Sequence, residues 1–466
     1  MKTQSSTGNV NLYEYFSTLP KKEFIKQNEI QQTPSISIND NNGIEINKKI
    51  RNTLTNISII EKTPSFKFDI SNKNIINISP SNIKDLQNIP SGSTIKLSKG
   101  VYNTDLNING KNDITIVADN DVVLKGNLQI NGSSKIKLGG FKIEGAKNKD
   151  TFDQKGVNVG SNVPELIING SSDVEVKGLT INHNKKRPND NSVRAMLEIS
   201  NTSKNILIEG CSFSSATQKL PFTPENKNMF VNGIKSSGEG IVIKENNFSR
   251  VHTGIVALGN SSIVKENKIN WFTQDGINIA GHKSKVLDNK IYDLLAISGE
   301  KDHHDGIQAW AYEPNNIKNA RFTGKYSLDD IQVSGNTIIS TTNPDRNNQG
   351  ALQGIVAFDG LMRGWEISKN KIYTHSTNHG ITINGAMPYK NKDFSINNNE
   401  IKLIASNKKV KNNENLVPDI NLNKARYFEM DNNNNIIKSR PPKNVEGLKY
   451  KANVFNNGSS KVIISY

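Results

Sequence analysis

An asparagine that returns in the same local setting six times is the feature of this 466-residue chain that most restricts what it can fold into. From about residue 240 it stands two positions before an apolar residue, in Glu245-Asn246-Asn247-Phe248, Glu266-Asn267-Lys268-Ile269 and Asp288-Asn289-Lys290-Ile291. The series continues in Gly335-Asn336-Thr337-Ile338, Lys369-Asn370-Lys371-Ile372 and Asn398-Asn399-Glu400-Ile401. A short alternating stretch precedes each, as in Gly240-Ile-Val-Ile243 and Asp330-Ile-Gln-Val333. Upstream the register persists with apolar residues, Phe141, Leu179 and Cys211, in the Asn position. Periods of twenty to fifty residues mark chains that stack one supersecondary unit on the next.

Short strands at such a period predict an all-β solenoid, a single-stranded right-handed parallel β-helix. Each turn of such a coil lies about 4.8 Å above the last. A residue type that recurs in register therefore stacks in a column, and a buried Asn there can bond backbone groups that would otherwise be costly to leave bare. Cys211, falling in this column, is expected to be a core thiol and not a nucleophile.

A second register follows one strand later: Thr253-Gly-Ile-Val256, Asp275-Gly-Ile-Asn278, Asp305-Gly-Ile-Gln308, Gln353-Gly-Ile-Val356 and His379-Gly-Ile-Thr382. The Ile faces inward in every coil, and the Gly permits a tight bend or a close backbone approach. The spacing from Gly254 to Gly276 is 22 residues, the bare coil; Gly276 to Gly306 is 30 and Gly306 to Gly354 is 48. The surplus must leave the coil as excursions near Leu295–His303, Trp310–Asp329 and Thr341–Ala351, where a solenoid keeps a binding face.

The coils run from about Asp113 to Ile404, preceded by a cap and first coil over Asn77–Tyr102. Residues 1–74 carry no repeat, Leu12–Phe24 being the one helix expected. Residues 405–466 lose the register and end on a strand near Lys461–Tyr466. Three segments follow: 1–74 for attachment or linkage, 75–404 for the β-helix, and 405–466 as a cap or oligomerisation piece.

Apolar residues at 34% and aromatics at 6% suit a thin, turn-rich core better than a helical bundle. The net charge of +15 attracts polyanions. The lysines are scattered and not gathered into basic runs with interleaved aromatics, which argues against a nucleic-acid module. One cysteine allows no internal disulfide. No stretch is apolar enough for a bilayer span, and residues 1–11 have no secretory apolar core. An extracellular or virion-associated protein exported by another route is expected.

Chemistry is sought in the column before Gly–Ile, which reads Thr253, Asp275, Asp305, Gln353, His379; the position before it reads His252, Gln274, His304, Leu352, Asn378. Asp275 and Asp305 fall on neighbouring coils with His304 beside them and His379 two coils on. Close carboxylates raise one pKa, and a raised acid beside an ionised one suits glycosidic hydrolysis. Catalytic candidates are therefore Asp275, Asp305, His304 and His379. Gln308, Trp310, Gln353, Asp359, Arg363 and Lys283 are candidate substrate contacts. Asp before Gly is also a common turn pair, and stacked Asp or Asn can simply complete a turn.

The stretch Asp275–Pro388, through His304-Asp305-Gly-Ile-Gln308, Leu352-Gln-Gly-Ile-Val-Ala-Phe-Asp-Gly360 and Asn378-His-Gly-Ile-Thr-Ile-Asn-Gly385, resembles phage and bacterial right-handed β-helix repeat proteins. Their pectate-lyase-like superfamily holds lyases, hydrolases, epimerases and tailspike depolymerases. The Asp-Gly-Ile, Asp-Gly-Ile, His-Gly-Ile succession also resembles polygalacturonases, although these carry Asn-Thr-Asp and a double Asp where this chain has Thr273-Gln274-Asp275 and His304-Asp305. The resemblance implies a polysaccharide depolymerase and a homotrimer.

Three readings follow. The first is hydrolysis of an extracellular, acidic polysaccharide, as by a tailspike. The second is a lyase using His304 or His379 as base, Arg363 or Lys283 to neutralise a uronate, and Ca²⁺ on Asp275 and Asp305. The third is a glycan-binding virion or adhesion protein attached through residues 1–74. No catalytic cofactor is otherwise required. Trp271, Trp310 and Trp365 offer flat faces for sugar rings, although Trp365 sits in a strand and suits the core equally.

Overall fold

The computed structural model describes residues 68, 70, 75–145, 163–183, 194–215, 230–295, 303–311, 327–342, 352–357, 360–374, 380–384, 386–387, 390–392, 394–403, 420–423, 427–430, 436–440, 448–451 and 462–465. The helix expected at Leu12–Phe24 lies outside them.

Three parallel sheets run the length of the molecule, of 13, 11 and 12 strands. Each coil visits them in turn, here named the first, second and third faces. One bare coil shows the order: Val242–Lys244 on the first, Asn247–Val251 on the second and Ile255–Ala257 on the third. The next coil repeats it with Ile263–Lys265, Lys268–Phe272 and Ile277–Ile279. Register is strict, Ile255 pairing with Ile277 and Ile277 with Ile307. Inward Ile, Leu, Val and Phe from all three faces form one continuous core.

Ile75–Ile78 pairs with Thr94–Leu97 around a 3₁₀ segment at Pro80–Asn88. At the other end, Ile420–Asn423 and Val462–Ser465 extend the third face and Leu448–Lys451 the first.

The Asn column occupies the corner between first and second faces. The residue before each Asn is left-handed, with φ of +54 to +57° at Glu245, Glu266, Asp288, Lys369 and Asn398 and +71° at Gly335. Such a turn points backbone groups into the coil, and the side chain satisfies them. Asn289 Nδ2 donates to the Val264 carbonyl of the coil before (2.9 Å) and to Asn336 Oδ1 (2.9 Å), while its Oδ1 accepts the Asn267 amide (3.0 Å). The pattern repeats from Cys211, whose amide donates to Asn246 Oδ1, through to Asn399. The carbonyl served belongs mainly to the preceding coil. Cys211 is buried and its thiol is pushed up to about 12 by that burial. Buried Ser also line the corner between third and first faces, in two neighbouring columns: the Ser133 and Ser171 amides donate to Ser171 and Ser203 Oγ, and farther along the Ser262 amide donates to Ser284 Oγ.

Gly254, Gly276, Gly306 and Gly354 are required by packing, not by φ. A Cβ on Gly276 would stand 2.5 Å from the Gly306 carbonyl oxygen and 2.6 Å from Ile291 Cγ2. The column is glycine because the second face's inward Ile presses against the backbone there.

Candidate functional site

The corner between second and third faces collects the candidate chemistry. The chain turns it tightly in two successive coils, through residues 252–254 and 273–276. The crossings on either side are long, residues 215–231 before and 293–303 and 340–351 after. Two coils with short corners thus lie between coils with longer crossings.

Asp275 and Asp305 stand on neighbouring coils at this corner. Asp275 Oδ1 accepts the Asp305 backbone N–H at 3.0 Å, and its Oδ2 accepts Asn278 Nδ2 at 3.2 Å. Asp305 Oδ2 accepts Gln308 Nε2 at 2.8 Å and bonds His303 Nδ1 at 3.0 Å. Its Oδ1 is buried with no hydrogen-bond partner among the described residues. Burial first, then the Asp305 carboxylate, pushes the Asp275 carboxyl up to about 7, against the opposing pull of His303 and the hydrogen bonds. Asp275 and Asp305 are 3% and 0% exposed, whereas the His303 side chain is 52% exposed. Only the imidazole therefore reaches solvent.

The imidazole touching Asp305 belongs to His303, not to His304, which is buried and pairs with Leu352 on the next coil. Sequence spacing could not separate two consecutive histidines: His304 opens the strand His304–Ala309, and His303 lies just before it. Gln308 joins the cluster directly. Gln353 pairs with Asp305 across the coils, its Oε1 also buried without a partner. His379 and Asp359 lie outside the described residues.

The remaining candidates are elsewhere. Arg363 and Lys283 sit at the opposite corner, between third and first faces. Arg363 Nε and Nη2 grip Asp329 at 2.7 and 2.6 Å, and the Lys283 amide donates to the Asp329 carbonyl. Their placement together with the acids is overturned by the third-face strand that separates the two corners, Ile277–Ile279 in the coil that holds both Asp275 and Lys283. Trp310 is buried at the far end of His304–Ala309. Trp365 is core, donating to the Leu328 carbonyl and stacked on Phe394. Trp271 is half-buried at the bare corner, under the Arg250 guanidinium at 5.1 Å from its ring centre.

The acids do not fit calcium. Both Asp275 oxygens and Asp305 Oδ2 are engaged by N–H donors, leaving Asp305 Oδ1, where the ion takes six to eight oxygens. No three metal-binding side chains converge among the described residues.

The stacked parallel faces define a right-handed parallel β-helix protein. Among solved structures it is similar to PfbA, a surface adhesin of Streptococcus pneumoniae, with 13% identity over 84% of this chain and 92% of that one, at a TM-score of 0.50. It is also similar to an alginate lyase of Paenibacillus sp. str. FPU-7 (14% identity, 64% and 94% covered, TM-score 0.42). A family 28 exopolygalacturonase of Yersinia enterocolitica gives 10% identity, 84% and 77% covered, and a TM-score of 0.42. At these identities the likeness concerns fold. No protein-family model matches the sequence, and no curated protein sequence matches it significantly.

Proposed function

We propose that this chain cleaves an acidic polysaccharide by β-elimination at the corner built from residues 252–254 and 273–276, with His303 as the base. The observation that carries the reading is the half-exposed His303 imidazole bonded through Nδ1 to fully buried Asp305. A carboxylate so placed holds the Nδ1–H tautomer and turns Nε2 outward as a proton acceptor. Nε2 takes the proton next to a uronate carboxylate, the electron pair forms the ring double bond, and the glycosidic oxygen departs and recovers a proton. Burial and the neighbouring Asp305 push the Asp275 carboxyl up to about 7, so it is partly protonated near neutrality, while Asp305 holds the imidazole through its hydrogen bond.

Hydrolysis by the two carboxylates is the weaker reading, because both would have to touch the sugar and neither has exposed surface. Their burial also favours binding without cleavage as a second reading, with the acids completing a polar ladder. On either reading we place the protein outside a cell or on a particle, as the named surface and polysaccharide-acting fold neighbours suggest. Trimeric assembly and attachment through residues 1–74 are part of the same proposal, and sedimentation as a monomer would count against the trimer.

The test is a panel of polyuronates followed by the ultraviolet absorbance of unsaturated products. His303→Gln should lower the rate by at least about a hundredfold, the usual range for loss of a general base. Hydrated, non-absorbing ends would replace elimination by hydrolysis. Binding with no fragments from any polymer would leave a glycan-binding protein.

A further inference from the structure

We propose that Gln274 is the positioning residue that aims His303 at Asp305; its effect on catalysis rests on the elimination reading above, its effect on the imidazole does not. Gln274 Nε2 donates to the His303 backbone carbonyl at 3.0 Å, reaching from one coil to the next. The backbone N–H of Gln274 donates to the His252 carbonyl of the coil before at 2.9 Å, so the side chain extends forward from a fixed root. The residue is buried.

The bond matters because of where the sheet leaves off. On the far side, His304 and Asp305 pair with Leu352 and Gln353 of the following coil. On the near side, the strand register with the preceding coil starts only at Ile277 opposite Ile307. Ahead of that point two consecutive side chains hold the backbone instead. Gln274 takes the His303 carbonyl, and Asp275 Oδ1 accepts the Asp305 N–H at 3.0 Å. Those two groups belong to the peptide units on either side of His304. A residue has only two soft dihedrals, both lying between its flanking peptide planes, so gripping the two planes fixes His304 in the strand it opens. Successive side chains of an extended chain point to opposite sides. His303 and Asp305 therefore share one side and meet at 3.0 Å, while His304 takes the other and is buried.

Gln274 also carries a cost that its donor explains. Its Oε1 is buried without a partner among the described residues. An apolar side chain of similar length would fill the space and leave no acceptor bare. Reversing the amide would set its oxygen against the His303 carbonyl. The residue is accounted for by the N–H it presents, in the one orientation that presents it.

Two-bond proton–nitrogen NMR of ¹⁵N-labelled protein reads the tautomer of each imidazole, His303 being assigned by its loss in His303→Gln. Wild type should carry the His303 proton on Nδ1. Gln274→Met keeps length and burial but donates nothing. It should lose that signature, and its kcat on a polyuronate should fall about ten- to a hundredfold with KM unchanged, the scale of a displaced catalytic group. Gln274→Glu, whose ionised carboxylate also cannot donate, carries the test if Gln274→Met lacks the wild-type circular dichroism. An unchanged Nδ1–H signature in the folded variant overturns the positioning role whatever the rate does, and so does a wild type without that signature. If wild type cleaves nothing, or kcat is unchanged, while the tautomer still follows Gln274, the elimination reading with His303 as base fails and the positioning role stands.

Discussion

The raised Asp275 carboxyl predicts a stability that falls with pH in a window where most proteins gain. An acid whose folded pKa lies above its unfolded value binds more protons folded than unfolded between the two, so stability is full below the lower value and drops toward the upper. Between 3.8 and about 7, at about 1.4 kcal/mol per pH unit, the drop amounts to about 4 kcal/mol. Asp275→Asn removes the titration while keeping the shape. Its Oδ1 can still accept the Asp305 amide, and Asn278, whose own Oδ1 is buried without a partner, can turn its amide to accept from the new Nδ2. Urea midpoints measured from pH 5 to 8.5 should therefore diverge, the variant gaining on wild type by about 3 kcal/mol across that interval. Parallel curves, or a wild type that gains on the variant as pH rises, would refute the account of a buried acid sharing its site with Asp305.

Asn289→Leu, although apolar residues fill the same column at Phe141, Leu179 and Cys211, should cost about 3–5 kcal/mol by leaving the Val264 carbonyl and Asn267 amide unpaired in the core; a urea midpoint within about 1 kcal/mol of wild type refutes the ladder's role. Gly276→Ala should cost about 1–3 kcal/mol through contact with the Gly306 carbonyl and Ile291. Gly132→Ala, at φ +53° in open space, should cost only the left-handed penalty of about 1 kcal/mol, and thermal melts of the pair compare the two causes. Cys211 should resist a thiol reagent at pH 8 in native protein and react fully in urea, since burial pushes its thiol up to about 12; native labelling at the rate of a free thiol contradicts it.

Much of the architecture was legible because a solenoid repeats its physics. The Asn column and the Gly–Ile column each answer a local need, a left-handed turn with bare backbone groups and an inward Ile pressed on the chain, and the same need recurs every coil. The two aspartates were legible for that reason, their spacing placing them on adjacent coils at one corner. The buried Ser were not legible, because Ser is common in any turn and they do not keep one column: Gly238 follows Ser203 in register, while Ser262 stands opposite Ile241.

The site's working parts depended on tertiary structure. Excursions have no period, so residue number within them says nothing of direction; hence His303, not its neighbour His304, meets Asp305. Arg363 and Lys283 share coils with the acids' neighbours but sit a strand's width away, a distance that pattern along the chain does not register. Arg250 and Trp271 lie 21 residues apart and became a pair only when two coils stacked them with matched left-handed backbones. The sequence alone therefore determined the coil, its corners and the column of acids, which are properties of a repeat. Which imidazole reaches solvent and how deeply the acids are buried were decided by packing between segments that no periodicity relates.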